Sequence, residues 1–212
     1  MAQKLLAALS SLLLAGCSLV GERSGYEEPP YEVVERIGDD AEVRRYGPRL
    51  VADVTVPESE AEGGGSAAFR ILFDYISGKN RAGDKVAMTV PVALDDAGEE
   101  IAMTVPVEQG GAAGGQGTRM RFFFPASYTA ETAPAPLDER ITIAEIPGQT
   151  LMVLRYSGFN GEAKKARQGA RLGRLVGESG WNAAGPPVFL AYDPPWTLPP
   201  FRRHEVARPV AR

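Results

Sequence analysis

The sequence is poor in the residues on which most metal and redox sites depend. Its 212 residues include one cysteine, Cys17, and one histidine, His204. A single cysteine cannot form a disulfide within the chain, and no His/Cys cluster has the spacing of a zinc site. A basic block is also absent, since 27 acidic residues outnumber 23 basic ones. Because phosphate neutralisation supplies much of the affinity for nucleic acids, a nucleic-acid partner is not expected.

Signatures of catalysis are missing as well. A Ser-His-Asp or Cys-His arrangement would have to use His204, and the GxSxG motif of nucleophile elbows does not occur. The glycine-rich segment 110–117 does not lead from a strand into a helix, as a phosphate-binding loop would. These absences favour a binding protein over an enzyme.

The apolar run at the N-terminus, residues 5–14, is too short to span a bilayer, which takes about 20 apolar residues. It follows Lys4 and leads into small residues, the pattern of a secretory signal peptide over residues 1–16. The segment LAGC (14–17) resembles the bacterial lipobox, in which the cysteine is lipidated and becomes the new N-terminus. The alternative is an ordinary secretory signal with a cysteine at its cleavage site.

The lipobox resemblance implies a lipid-anchored protein of the bacterial cell envelope. Residues 17–30 are polar and end in a proline pair, so we expect a lipidated tether before a domain over residues 31–212. Ser18 rather than Asp follows the cysteine, which by the enterobacterial sorting rule favours the outer membrane, facing the periplasm.

Short alternating segments predict strands through most of the domain. In residues 50–56, Leu50, Ala52, Val54 and Val56 share one face of a strand. The next segment places Phe69, Leu72, Phe73 and Ile76 at the spacing of one helical face, which predicts a helix packed through that face. Two near-identical segments, VAMTVPV (86–92) and IAMTVPV (101–107), predict two further strands whose prolines lie at an edge or a bulge.

The second half repeats the first in outline. ITIAEI and LMVLRY predict paired strands, Asn160 is a candidate cap for a helix from about Gly161 to Ser179, and VFLAY and HEVA predict closing strands. We therefore expect an α+β fold: a curved antiparallel sheet or distorted β-barrel, two flanking helices and an internal pseudo-two-fold repeat.

Several segments resemble the SOUL haem-binding family: YISGKNRAGDKVAMTVPV, the second IAMTVPV, MRFFFPASY, PAPLDERITIAEIPG and YDPPWTLPPFRRHEV. They occur in order between Tyr31 and Val206. The resemblance implies a duplicated β-barrel-like domain, similar to gyrase-inhibitor-like effector-binding domains. It also implies haem or another tetrapyrrole as a possible cofactor and small-molecule partner.

The resemblance places the ligand against the first helix. Phe69 and Phe73 would stack on a flat macrocycle, or else would simply pack onto the sheet, and Arg70 would meet a carboxylate. Where basic residues are expected in the family, this chain has Ser66, Asp74 and Thr197.

The iron ligand is a separate question. His204 is a possible ligand, although it stands where the family motif usually has Asn, and an ordinary partly exposed surface histidine is the alternative. The sequence predicts non-catalytic haem or tetrapyrrole binding at a membrane, the alternatives being a general hydrophobic-ligand module and a structural envelope lipoprotein.

Overall fold

The computed structural model describes residues 25–57, 64–81, 98–112 and 117–212. They divide into two compact units. The central unit contains Glu27–Glu32 and Arg45–Thr150, and the terminal unit contains Val33–Arg44 and Leu151–Arg212 together with residues 25–26. Cys17, the predicted signal peptide, the first part of the tether and the strand predicted at 86–92 lie outside the described residues.

The described residues form short strands, two α-helices and a 3₁₀ helix. In chain order these are β1 (Tyr31–Ile37), β2 (Ala41–Tyr46), β3 (Arg49–Val56), α1 (Gly64–Ile76), β4 (Asn80–Arg81), β5 (Val107–Gly111), β6 (Thr118–Phe123), β7 (Ala135–Pro136), β8 (Ile141–Ile146), β9 (Gln149–Tyr156), α2 (Glu162–Glu178), β10 (Asn182–Ala183), β11 (Val188–Ala191), the 3₁₀ helix (Pro199–Phe201) and β12 (His204–Ala211). No helix among them is long and apolar enough to span a membrane.

The central unit is built on an antiparallel sheet in the order β5-β6-β3-β8. In β3, Val51 lies opposite Phe123 of β6 on one side and Ala144 of β8 on the other. The alternating row predicted for β3 is confirmed, since Ala52, Val54 and Val56 enter the core beneath α1. A separate two-stranded ribbon pairs β4 with β7.

Helix α1 packs on this sheet through a face that includes two of the four predicted residues, Leu72 and Ile76. Ala68, Leu72, Tyr75 and Ile76 are buried, and the Tyr75 hydroxyl donates a hydrogen bond of 2.6 Å to the carbonyl of Pro134. The predicted buried row is therefore wrong for its two phenylalanines, which lie on the flank of the helix. The spacing of apolar residues was compatible with both faces because α1 is apolar over much of its circumference.

The terminal unit repeats this arrangement. Its sheet runs β1-β2-β9-β12-β11, with β10 pairing β12. Helix α2 buries Leu172 and Val176 against it. The residue that caps α2 is Gly161 and not the predicted Asn160, whose side-chain oxygen instead accepts a hydrogen bond from the Tyr156 hydroxyl.

The internal repeat is visible in the strand orders. The central order β5-β6-β3-β8 corresponds strand by strand to the terminal order β11-β12-β9-β2. Two pairs of consecutive strands are thus divided between the units: β2 is in one unit and β3 in the other, and the same holds for β8 and β9. Within the described residues of each unit the outermost strands do not pair with each other. The predicted α+β class is therefore confirmed, and of its two predicted forms the structure has the open antiparallel sheet and not a closed barrel.

The strand predicted over 101–107 forms only in part. Thr104 makes an isolated bridge with Glu27, and β5 begins at Val107. Pro106, which lacks an N–H, stands immediately before β5 and is excluded from its ladder.

A buried ion network organises the terminal unit. Glu205 of β12 is inaccessible to solvent and accepts hydrogen bonds of 2.9 and 3.2 Å from Arg44 of β2. Arg203 and the Tyr192 hydroxyl also donate to it, at 3.0 and 2.6 Å. Burial alone would raise the pKa of the Glu205 carboxyl, but the two guanidinium groups and these hydrogen bonds outweigh it and hold the pKa below its ordinary value.

We predict that Glu205→Gln lowers the free energy of unfolding by about 3 kcal/mol or more, because it leaves buried arginines without their counter-charge. Since the pKa is lower in the folded state, the stabilisation is present above the pKa of an unfolded glutamate, about 4.3, and is lost as the pH falls below it. Urea denaturation between pH 3 and 7 should therefore show a flatter acid limb in the variant.

The matched control is Glu32→Gln, which breaks the exposed Arg45–Glu32 pair of 2.9 Å and should cost less than about 1 kcal/mol. Equal losses in the two variants would contradict the special role of Glu205.

Candidate functional site

The flank of helix α1 carries an exposed aromatic pair. The rings of Phe69 and Phe73, one turn apart, stack with centroids 5.8 Å apart, and their residues are 37% and 43% exposed. Phe69 also meets the edge of Phe122 on β6 at 5.4 Å. Phe69 therefore packs in part onto the sheet, as the alternative interpretation expected, while both side chains keep apolar surface exposed to solvent.

Arg70 lies on the adjoining side of the helix and lines a cleft of about 860 Å³. It is exposed and makes no ion pair or hydrogen bond with the described residues. The cleft volume falls in the range of small-molecule sites, roughly 300–1,000 Å³. A cation without a partner at the edge of such a cleft is available to an anionic ligand.

The remaining charges of the cleft are mostly paired with each other. Lys79 contacts Asp74 at 2.9 Å, and Arg140 contacts Asp138 at 2.6 Å. Its apolar lining comes from both sides of the opening: Ala67, Ile71, Leu137 and Ile141. Arg70 is therefore the basic residue of the cleft whose charge is not neutralised by a described neighbour.

The aromatic pair and the cleft are neighbouring but distinct surfaces of α1. Successive residues of an α-helix point about 100° apart, so Phe69 and Arg70 face different directions, and neither phenylalanine lines the cleft. A ligand on the aromatic pair could reach Arg70 at its edge, whereas a ligand in the cleft would meet Arg70 at the wall.

The residues at the other positions where the family is expected to have basic side chains do not add a positive charge beside Arg70. Ser66 is exposed on α1, Asp74 pairs with Lys79, and Thr197 is buried in the terminal unit. Two cations of α2 are paired within that unit, Lys165 with Glu162 and Arg171 with Asp40. These pairs support the interpretation of the basic side of α2 as a surface face.

His204 is buried, so the alternative of a partly exposed surface histidine is wrong. It begins β12 in the terminal unit, is 4% exposed, and its ring lies 5.5 Å from that of Tyr156. Its Nε2 is 3.2 Å from the carbonyl oxygen of Gly158, whereas Nδ1 is buried and has no hydrogen-bond partner in the described part of the chain. Burial lowers the pKa of this imidazole, with the Gly158 carbonyl opposing the shift.

These positions separate the predicted ligand residues into two sets. Phe69, Arg70 and Phe73 share one helix of the central unit, and His204 belongs to the other unit. No group of three or more His, Cys, Asp or Glu side chains that could hold a metal ion occurs in the described part of the chain.

A comparison with the profiles of known protein families shows to which family this chain belongs. The profile of the family described as SOUL heme-binding protein matches residues 26–209. The chain belongs to the SOUL family. A human relative, Heme-binding protein 2, is 26% identical over 157 residues, which cover 73% of this chain and 71% of the human protein.

Solved structures show the same fold at low identity. A structure titled as a hydrolase from Listeria innocua has a TM-score of 0.53 at 9% identity and covers 81% of this chain and 92% of that one. An uncharacterized conserved protein from Listeria innocua has a TM-score of 0.52 at 10% identity and covers 84% of this chain and 94% of that one. At these low identities the solved structures are similar to this SOUL protein in fold, and the similarity says nothing about function.

Sequence reasoning missed the far wall of the cleft in this SOUL domain. Leu137, Asp138 and Arg140 lie in a segment that the sequence indicates only as a proline-rich loop before β8. The apolar Leu137 among charged residues was the one feature of this segment that could have indicated a ligand site. Its position opposite α1 could not be predicted, because the pairing of β4 with β7 was not predicted.

We predict that the stability of His204→Asn, which has the residue usual in the SOUL motif, falls less on acidification than the stability of the wild-type protein. Because the imidazole pKa is lower folded than unfolded, His204 favours the folded state above about pH 6.5 and progressively less as the pH falls below it. Melting temperatures between pH 8 and 5 should fall more steeply for wild type than for the variant. Parallel curves would contradict the burial of a neutral histidine.

Proposed function

We propose that this SOUL protein binds haem or a related tetrapyrrole without catalysing a reaction, and that the aromatic flank of α1 receives the macrocycle. The observation that carries the proposal is the exposed, stacked pair Phe69 and Phe73 beside Arg70, which has no ionic partner among the described residues. The SOUL family profile and the human relative named for haem binding support the same class of ligand.

The chemistry of these three residues fits a flat, apolar, anionic molecule. Aromatic faces already exposed to water gain from covering by a planar macrocycle, because apolar surface is then removed from solvent. The Arg70 guanidinium presents several N–H donors in one plane and can donate two of them to a carboxylate such as a propionate. Binding of this kind depends on stacking and charge and requires no bond from the protein to the iron.

Ligation of haem iron by His204 stays a prediction. Its Nε2 contacts the Gly158 carbonyl and its ring is buried, so ligation through Nε2 would require that contact to break. If His204 ligates, His204→Asn will change the ferric absorption spectrum of the haem complex. An unchanged spectrum would exclude it.

A general hydrophobic-ligand module is the second candidate, favoured by the 860 Å³ cleft with its apolar walls. In that case the ligand would occupy the space between α1 and residues 137–141, and several unrelated apolar compounds would raise the melting temperature. The same cleft speaks against a purely structural envelope role, which needs no concave site.

We also propose that Cys17 carries the lipid that holds this domain to the bacterial envelope, on the outer membrane facing the periplasm. The proposal rests on the segment LAGC after a short apolar run and on the polar residues that follow. Several acyl chains give a lasting tether, because each buried methylene contributes about 0.8 kcal/mol.

For ligand binding, we predict a saturable Soret change when the whole protein is titrated with hemin and with metal-free protoporphyrin. Phe69→Ala with Phe73→Ala should weaken binding of both about tenfold or more, a difference of about 1.4 kcal/mol or more, since the stacking surface is lost. Arg70→Met should weaken it about threefold to tenfold, because an exposed ion pair contributes less.

Two control variants locate the ligand. Arg81→Met removes an exposed cation of β4 that does not line the cleft, and it should leave the titration unchanged. Leu137→Glu places a charge in the cleft at a position that is 54% exposed. Loss of binding in Leu137→Glu with normal binding in the phenylalanine variants would move the ligand into the cleft and contradict the stacking proposal.

For anchoring, we predict that cells fed an alkyne-tagged palmitate label the wild-type protein and not Cys17→Ser. The reason is that Cys17 is the only thiol in the chain. Fractionation should place the labelled protein with outer membranes. Label retained in the variant, or a wild-type protein free of label, would contradict the anchor.

A further inference from the structure

An exposed apolar cluster lies in the terminal unit, on two loops that the ligand proposal does not use. We call it the loop patch, and it consists of Phe159, Trp196, Leu198 and Phe201, which are 74%, 62%, 47% and 51% exposed. Phe159 precedes α2, and the other three lie between β11 and β12. None of the four is among the described residues that form the core cluster of this unit.

Arg202 joins the two loops of the patch. Its guanidinium carbon lies 5.9 Å from the centre of the Phe159 ring, and its Nε donates a 2.7 Å hydrogen bond to the carbonyl of Thr197. A second guanidinium nitrogen donates to the carbonyl of Pro195. These two acceptors flank Trp196, so a single side chain sets Phe159 and Trp196 on the same part of the surface.

The backbone of the patch is held as well. The Gly158 N–H donates to the Pro199 carbonyl at 2.9 Å, directly linking the loops. Prolines stand at four positions of the second loop, 194, 195, 199 and 200, and their fixed φ angles restrict it further. The apolar side chains are therefore carried on a constrained backbone, and little conformational entropy remains to be lost when they are covered.

The combination of side chains indicates the kind of surface that covers them. Trp, with a polar N–H on an apolar ring, is enriched where hydrocarbon meets lipid headgroups, and arginine there directs its charge toward the headgroups. The patch lies on two loops of the terminal unit, and none of its four residues lines the cleft beside α1. Its members fit insertion into a fluid apolar layer, which needs no complementary shape.

We propose that the loop patch inserts into the interface of the bilayer to which Cys17 is tethered. This inference rests on the anchoring half of the proposed function. Eight peptide units separate Cys17 from Gly25, the first described residue, so even a fully extended chain spans roughly 28 Å between them. Gly25 belongs to the terminal unit, as does the patch, which keeps this unit close to the membrane surface.

The two tryptophans of the chain provide a test, because Trp181 is only 8% exposed and Trp196 is in the patch. The whole protein is reconstituted into vesicles of phosphatidylethanolamine and phosphatidylglycerol, with or without bromine on the acyl chains. We expect bromine to reduce the fluorescence of the wild type by up to about half, since only the interfacial tryptophan is reached. Trp196→Phe, in which the buried Trp181 is the remaining reporter, should show no quenching.

A variant that combines Phe159→Ser, Leu198→Ser and Phe201→Ser should lose most of the quenching while still floating with the vesicles through its lipid. Tyr31→Ser, which removes an exposed aromatic side chain of the central unit, is the matched control and should be quenched like the wild type.

The outcomes separate the patch from the anchor. Flotation without quenching of Trp196 would overturn the patch proposal and leave the anchor standing. Quenching in a protein whose Cys17 carries no palmitate label would support the patch and reject the anchor. Quenching that the triple variant retains, or a patch protected instead by a protein contact, would also overturn the proposal.

Discussion

The structure depends on how the chain divides its two consecutive strand pairs. Strand β2 leads directly into β3 and β8 into β9, yet β2 is placed beside β9 and β8 beside β3. The turns that permit this are short and contain glycine and proline, Gly47-Pro48 in the first and Pro147-Gly148 in the second. A Cβ on Gly148 would lie 3.0 Å from the Tyr46 carbonyl oxygen, so a larger residue there would require the two turns to move slightly apart. The sheet of the central unit thus receives β8, and that of the terminal unit receives β1 and β2, from the other half of the chain.

This division determines where the functional surfaces lie. Helix α1 packs on β3 and β6 through Ala68, Leu72 and Tyr75, which leaves its flank with Phe69 and Phe73 turned to solvent. The helix of the terminal unit differs in its residues. Helix α2 contains no aromatic side chain, and its Lys165 lies over the ring of Phe189 and pairs with Glu162. Similar scaffolds in the two halves thus carry a candidate ligand face in one half and a charged surface in the other.

Much of the fold could be predicted from short-range pattern. The alternation in β3 and the order of strands and helices in the two halves were sufficient for the α+β class and the repeat, because a half-buried strand shows its period within a few residues. The family motifs pointed to the helix that carries Phe69, Arg70 and Phe73. The exposure of the two phenylalanines could not be predicted, since it depends on which apolar stripe of α1 meets the sheet. That choice is made by small Ala68, which lets the helix approach, and by the Tyr75 hydroxyl, which finds the Pro134 carbonyl. The burial of His204 was missed for a related reason: two arginines precede it, but one of them, Arg203, turns to the buried Glu205.

The exchange of strands between the two halves means that neither half could complete its sheet alone. A polypeptide of half this length would possess one helix and three strands of a sheet, with its remaining strand directed away from it. It could complete its sheet only by giving that strand to a second identical molecule and receiving one in return. With both halves in one chain, this pairing is intramolecular and does not depend on protein concentration.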